Sequence, residues 1–130
     1  MGKRVNSPLT WVLRLASCKP RLHYSKKRRK HLQTPKKFKL SNLTYTVRMV
    51  DTMPHPGHMG EVNHTQRVVT VATQSNLTGR SFKTEEVSDT FWHEVTHAIL
   101  YDMNHKLWNN EKFVTRFANR LNEIVNTAEL

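Results

Sequence analysis

Phe91-Trp92-His93-Glu94-Val95-Thr96-His97-Ala98-Ile99-Leu100 is the stretch that decides how this 130-residue chain is read. It contains one H-E-x-x-H. On a helix, His93 and His97 stand four residues apart, one turn on, and present both imidazoles to the same side. Two ring nitrogens so placed can share one metal ion. Glu94 is rotated about 100° around the axis from His93, so its carboxylate reaches a water on the metal without taking a coordination position. Two ligands and a general base are the chemistry of a zinc hydrolase. Phe91, Trp92, Val95, Ala98, Ile99 and Leu100 make the segment apolar on most of its circumference, as in a helix buried in a core. Two histidines and a glutamate buried there would be costly without a partner. On a surface helix the same residues would need no metal.

Outward from this stretch, Thr84 offers an N-cap, and Glu85 and Glu86 lie in the first turn, where the helix dipole favours acids. The helix is expected to run to about Met103, with Asn104 taking the left-handed conformation that ends it. Upstream, Leu43, Tyr45, Val47 and Met49 alternate with Thr44, Thr46, Arg48 and Val50, a period-two strand with one buried face. Asp51 to Gly60 holds Pro54, Pro56 and Gly57 and reads as a loop. His55, His58 and His64 fall in or just after it; such histidines bind metal in some loops but more often face solvent. Arg67 to Thr73 reads as a second strand, covered on both faces or at a sheet edge, and Gln74 to Gly79 as a turn.

Downstream, a last helix is expected from Glu111, capped by Asn109 or Asn110, with Phe113, Val114, Phe117, Leu121, Ile124, Val125 and Ala128 as its apolar stripe. Glu111 falls near the edge of that stripe, in line with Ala118 and Val125. A catalytic zinc usually has three protein ligands and one open position. Glu111 is the preferred third ligand, because an antiparallel helix pair joined by a short connection returns its first turn towards the end of the His93/His97 helix. His105, eight residues after His97, is the rival and would have to fold back onto the metal. Glu111 as an ordinary helix-terminal charge is the bland alternative. The H-E-x-x-H-x-x-G-x-x-H pattern of metzincins is absent, since its glycine and third histidine are missing.

Charge divides the chain. The formal net charge is +11, yet residues 1–43 hold 13 Lys and Arg and no Asp or Glu, leaving 8 basic against 10 acidic residues in 44–130. Residues 1–42 therefore read as a basic, partly disordered N-terminal extension, and 43–130 as the folded domain. Residues 7–18 suit a short helix behind Ser7 and Pro8, or part of an organelle transit peptide. The block Lys26-Lys27-Arg28-Arg29-Lys30, with Lys36, Lys37 and Lys39, suits either nucleic-acid phosphates along residues 3–39 or a solubilising tail or nuclear address. With Tyr24 and Phe38 alone among the cations, sequence-specific recognition is not indicated. Cys18 is the sole cysteine, which excludes an intramolecular disulfide framework and favours a reducing, cytoplasmic compartment. No apolar run approaches the roughly 20 residues of a membrane span. The myristoylation pattern fails at Asn6, and the sequons at Asn42, Asn63 and Asn76 read as coincidence.

His93-Glu94-x-x-His97 followed by Asn110-Glu111 and by Phe117-Ala118-Asn119-x-Leu121 resembles the compact gluzincin metallopeptidases of bacteria and mobile elements, including the ImmA/IrrE type. The resemblance spans roughly residues 43–125. It implies an α+β, minimal zincin-like domain: a small β-sheet packed on the H-E-x-x-H helix, and a C-terminal helix whose glutamate completes a Zn2+ site. The glycine common before the second histidine of that family is Thr96 here, and the glutamate comes early after the helix. The expected function is hydrolysis of a protein or peptide substrate in the cytoplasm, a host's if a mobile element encodes the chain. Residues 67–73 are then the candidate edge strand for an extended substrate, and Tyr101 or His105 the group that stabilises the oxyanion. SprT-type proteases of DNA-bound proteins, which use a third histidine, and a non-catalytic nucleic-acid-binding protein with structural zinc are the alternatives.

Overall fold

The computed structural model describes residues 34–130; the helix expected at 7–18, Cys18 and the cation block at 26–30 lie outside the described residues. A four-stranded mixed sheet and two helices make an α+β domain: β1 (Lys37–Leu40), β2 (Leu43–Val50), β3 (Gly60–Asn63), β4 (Val68–Ala72), α1 (Thr84–Asp102) and α2 (Glu111–Thr127). The strand order is β1-β2-β4-β3; β2 and β4 are parallel and the outer pairs antiparallel.

The sheet starts before residue 43, where the change in sequence character had placed the start of the domain. Lys37-Phe38-Lys39-Leu40 turns its two cations outward, as edge strands commonly do, and its apolar pair towards the core. Ser41 and Asn42 both have positive φ, 51° and 66°. With Leu40 opposite Leu43 they form a two-residue hairpin turn whose twist matches the strands it joins. Phe38 lies directly opposite Tyr45 with rings stacked at 5.2 Å, and meets Phe91 of α1 edge-on at 6.1 Å. On β2 the expected alternation buries Tyr45 and Val47, while Leu43 and Met49 at the strand's ends stay exposed.

β4 is central, not an edge, so its continuous apolar run reflects neighbours on both sides: Val69, Val71 and Ala72 have no exposed surface. Residues 67–73 therefore cannot accept a substrate strand. The free edge at that side of the sheet belongs to β3, which begins at Gly60, where the expected loop ends, and runs through residues to which the sequence assigned no element. The preceding loop is pinned by Asn76, whose Nδ2 donates to the carbonyls of Met53 and His55, both at 2.7 Å, and whose Oδ1 accepts from the Gly57 N–H at 3.0 Å. That sequon asparagine is a structural clamp.

α1 lays Phe91, Val95 and Ala98 on Tyr45, Val47, Val69 and Val71 to form the core. Its N-cap is Lys83, one residue before the expected Thr84, and Glu86 reaches back to accept the Lys83 N–H at 2.8 Å. Its end is a Schellman turn: Asn104 at φ 55° donates to the Tyr101 carbonyl, and His105 donates to that of Leu100. Asn110 caps α2 by accepting from the Phe113 N–H at 2.9 Å. α2 packs on α1 through Val114 and Ala118, and through Asn122, which accepts from the Ser88 hydroxyl at 2.6 Å. Among the described residues no helix is long and apolar enough to cross a membrane.

Candidate metal centre

His93 and His97 project from one side of α1, and the connection from residue 103 to 110 returns the chain so that Glu111, the first residue of α2, meets them. The three groups form a small triangle. The two Nε2 atoms are 3.2 Å apart, Glu111 Oε1 is 3.0 Å from that of His93, and Glu111 Oε2 is 2.9 Å from that of His97. Ligands held at 2.0–2.1 Å in a tetrahedral zinc shell stand about 3.3 Å from one another, close to the separations found. Glu94 also lies close, since His93, Glu94 and His97 each offer a donor atom within 4.8 Å of the other two.

The chemistry of the triangle calls for a positive centre. Nδ1 of His97 lies 2.7 Å from the Trp108 carbonyl oxygen, which can only accept, so Nδ1 carries the hydrogen. In neutral His97 the Nε2 then presents a lone pair, facing a carboxylate oxygen at 2.9 Å. Two acceptors at that distance repel unless a proton or a metal ion lies between them. A ligating histidine whose other nitrogen donates to a carbonyl is the usual arrangement at metal sites, because it fixes the tautomer and the ring plane.

His105, the rival ligand, is used elsewhere. Its Nδ1 accepts from the Leu107 N–H at 3.0 Å and its carbonyl accepts from the Trp108 N–H at 3.0 Å. The turn so built carries the Trp108 carbonyl to His97. Thr96, which precedes the second histidine, is 2 % exposed and its hydroxyl donates to the Trp92 carbonyl at 2.7 Å. The position accepts a side chain without loss of helical packing.

Glu94 is buried and lines a cleft of about 860 Å³ formed by β3, α1 and the start of α2. Burial pushes its carboxyl up to about 8, with Glu111 and Glu61 adding to the shift. His93 is held below the usual histidine value by burial and by His97, against the opposing pull of Glu111. His64 is also lowered, by burial and then by His97.

Gly60 explains how β3 comes so close to α1. A Cβ there would lie 2.7 Å from Thr90 Cγ2, 2.9 Å from the Thr70 carbonyl oxygen and 3.4 Å from Glu94 Cγ. Gly60, Glu61, Val62 and His64 line the same cleft as the metal triangle, together with His58 of the loop. His55 and His58 contact one another, with ring centroids 5.4 Å apart. Sequence reasoning missed Gly60 and the Trp108 carbonyl as parts of the site. A lone glycine after a loop and a backbone oxygen carry no local pattern that marks them.

Comparison of the chain with protein-family profiles, with curated proteins and with solved structures finds no match in any of the three.

Proposed function

We propose that this domain is a zinc-dependent metallopeptidase of the compact gluzincin kind, with His93, His97 and Glu111 holding the metal and Glu94 as general base. The observation that carries the reading is the donor triangle, with His97 locked by the Trp108 carbonyl in the tautomer that turns its Nε2 lone pair inward. Zinc bound there supplies a water of pKa lowered from about 16 towards 7 and polarises the scissile carbonyl.

The remaining work falls to the chain. Glu94 takes the proton of the attacking water on its carboxylate and passes it to the leaving amine. Its burial favours the neutral acid, and a cation beside it restores the ionised base. β3 is bonded to β4 on one side only, so its free edge can hold an extended peptide backbone beside the cleft. His105 does not line the cleft that holds the triangle and is not needed as a ligand.

The test is Glu94→Gln in the full chain. Hydrolysis of an unfolded protein substrate should vanish while bound zinc stays at the wild-type level. Hydrolysis that persists would remove Glu94 from the mechanism. The chain's basic N-terminal segment supports a separate nucleic-acid contact in the same cytoplasmic setting, readable as salt-sensitive binding to DNA or RNA.

A further inference from the structure

His64 follows the last residue of β3, where Asn63 Oδ1 accepts the Gln66 N–H at 2.9 Å and tightens the turn. Its ring lies flat on Tyr101, with centroids 4.0 Å apart and planes 9° from parallel, and meets Trp108 edge-on at 5.4 Å. Trp108 also supplies the carbonyl that orients His97. One residue therefore positions both imidazoles.

The ring's two nitrogens differ. Nδ1 is shut off from solvent and has no hydrogen-bond partner, yet His64 lines the cleft that contains His93, Glu94, His97 and Glu111. A neutral imidazole has one N–H to place. On Nδ1 it would be a buried donor left unsatisfied, a situation folded proteins avoid. On Nε2 it can be satisfied by whatever enters the cleft. Neither Tyr101 nor His105, the two groups expected to stabilise an oxyanion, lines this cleft, whereas His64 does.

We propose that His64 is the cleft's neutral hydrogen-bond donor, its Nε2–H directed at the carbonyl oxygen of the bound peptide bond as negative charge develops there. This rests on the metallopeptidase reading above and adds to it the electrophilic partner opposite Glu94. Because β3 leads directly into His64, the strand offered to the substrate backbone and the donor offered to its carbonyl are set by one segment.

Two measurements on the zinc-loaded full chain test it, with acetohydroxamate as the probe because its oxygens bind zinc and its carbonyl takes the place of the substrate's. Long-range proton–nitrogen NMR of wild type should report His64 as the Nε2–H tautomer at neutral pH. The Nδ1–H tautomer would overturn the proposal without any variant. In calorimetry, His64→Phe keeps the stacking and removes the donor; it should leave zinc content unchanged and weaken acetohydroxamate about tenfold, the scale of one lost hydrogen bond. His64→Gln, which places an amide N–H near the Nε2 position, should recover most of the affinity, and it covers the case in which the Phe variant fails to fold. Equal affinity in wild type and His64→Phe, each with zinc bound, overturns the role of His64 and leaves the metal site standing. Absence of zinc from wild type overturns the metallopeptidase reading itself, and with it this role.

Discussion

Nδ1 of His97 donates to the carbonyl oxygen of Trp108 across 2.7 Å, tying the H-E-x-x-H helix to the turn that follows it. Eleven residues separate the two, and between them lie the Schellman turn at Asn104 and the hydrogen bonds of His105. The bond sets the tautomer of His97, and the same turn delivers Glu111 to both rings. The His97 tautomer and the chain reversal are set by one structural unit.

Zinc stoichiometry is the first consequence. Wild type should bind about one zinc per chain, a count that elemental analysis reads directly. His97→Ala and Glu111→Ala should lose the metal on dialysis, while His105→Ala keeps it. Retention in Glu111→Ala with loss in His105→Ala would reverse the assignment of the third ligand.

Loss of the base should be severe and confined to turnover. Glu94→Gln is expected to lower kcat by at least about 100-fold, the lower range for removing a general base. Zinc content and thermal midpoint should stay near wild type, because the amide occupies the same space without the carboxyl's burial-raised pKa.

Gly60→Ala places a methyl group where Thr90 Cγ2, the Thr70 carbonyl and Glu94 Cγ already crowd. A cost of about 1–3 kcal/mol in urea unfolding is expected for overpacking of this kind. Adding Thr90→Ser removes the nearest atom and should return part of that stability. If Gly60→Ala is as stable as wild type, β3 and α1 have room for a methyl group between Gly60 and Thr90.

β1 belongs to the folded unit. Phe38→Ala deletes a half-buried ring packed on Tyr45 and Phe91, and should cost about 2 kcal/mol, below the 3–5 typical of fully buried aromatic residues. A chain beginning at residue 34 should unfold at a higher midpoint than one beginning at residue 43, which lacks β1.

Among the described residues, acid sensitivity has an identifiable surface source. Glu86, which accepts from both terminal guanidinium nitrogens of Arg80 at 3.1 Å and from the Lys83 N–H, is lowered from 4.5 to about 2. A folded-state pKa below the unfolded one gives stability that is fully present above about 4.5 and lost as pH falls towards 2. The stability difference between wild type and Glu86→Gln should therefore shrink between pH 5 and about 2. A difference that stays constant over that range would show that the carboxylate's charge contributes nothing.

The elements legible in the sequence were those written in local spacing. His93, Glu94 and His97 are placed by helical periodicity, the cap of α2 by the pair Asn109 and Asn110, of which Asn110 makes the bond, the end of α1 by Asn104, and the buried pair Tyr45 and Val47 by alternation. Each depends on neighbours within a few positions, which the chain carries with it however it folds. β1 escaped notice because four residues with two lysines make a weak pattern, and only the hairpin partner and Phe91 give Phe38 a place to pack. β4 read equally as edge or centre, since an apolar run records that both faces are covered but not which strands lie beside it. That choice, the closing of Glu111 on both imidazoles, the carbonyl behind His97 and the setting of His64 between Tyr101 and Trp108 were decided only by tertiary structure. They are contacts between residues distant in the chain, and they form only when the sheet, the helix pair and the turn between them are packed together.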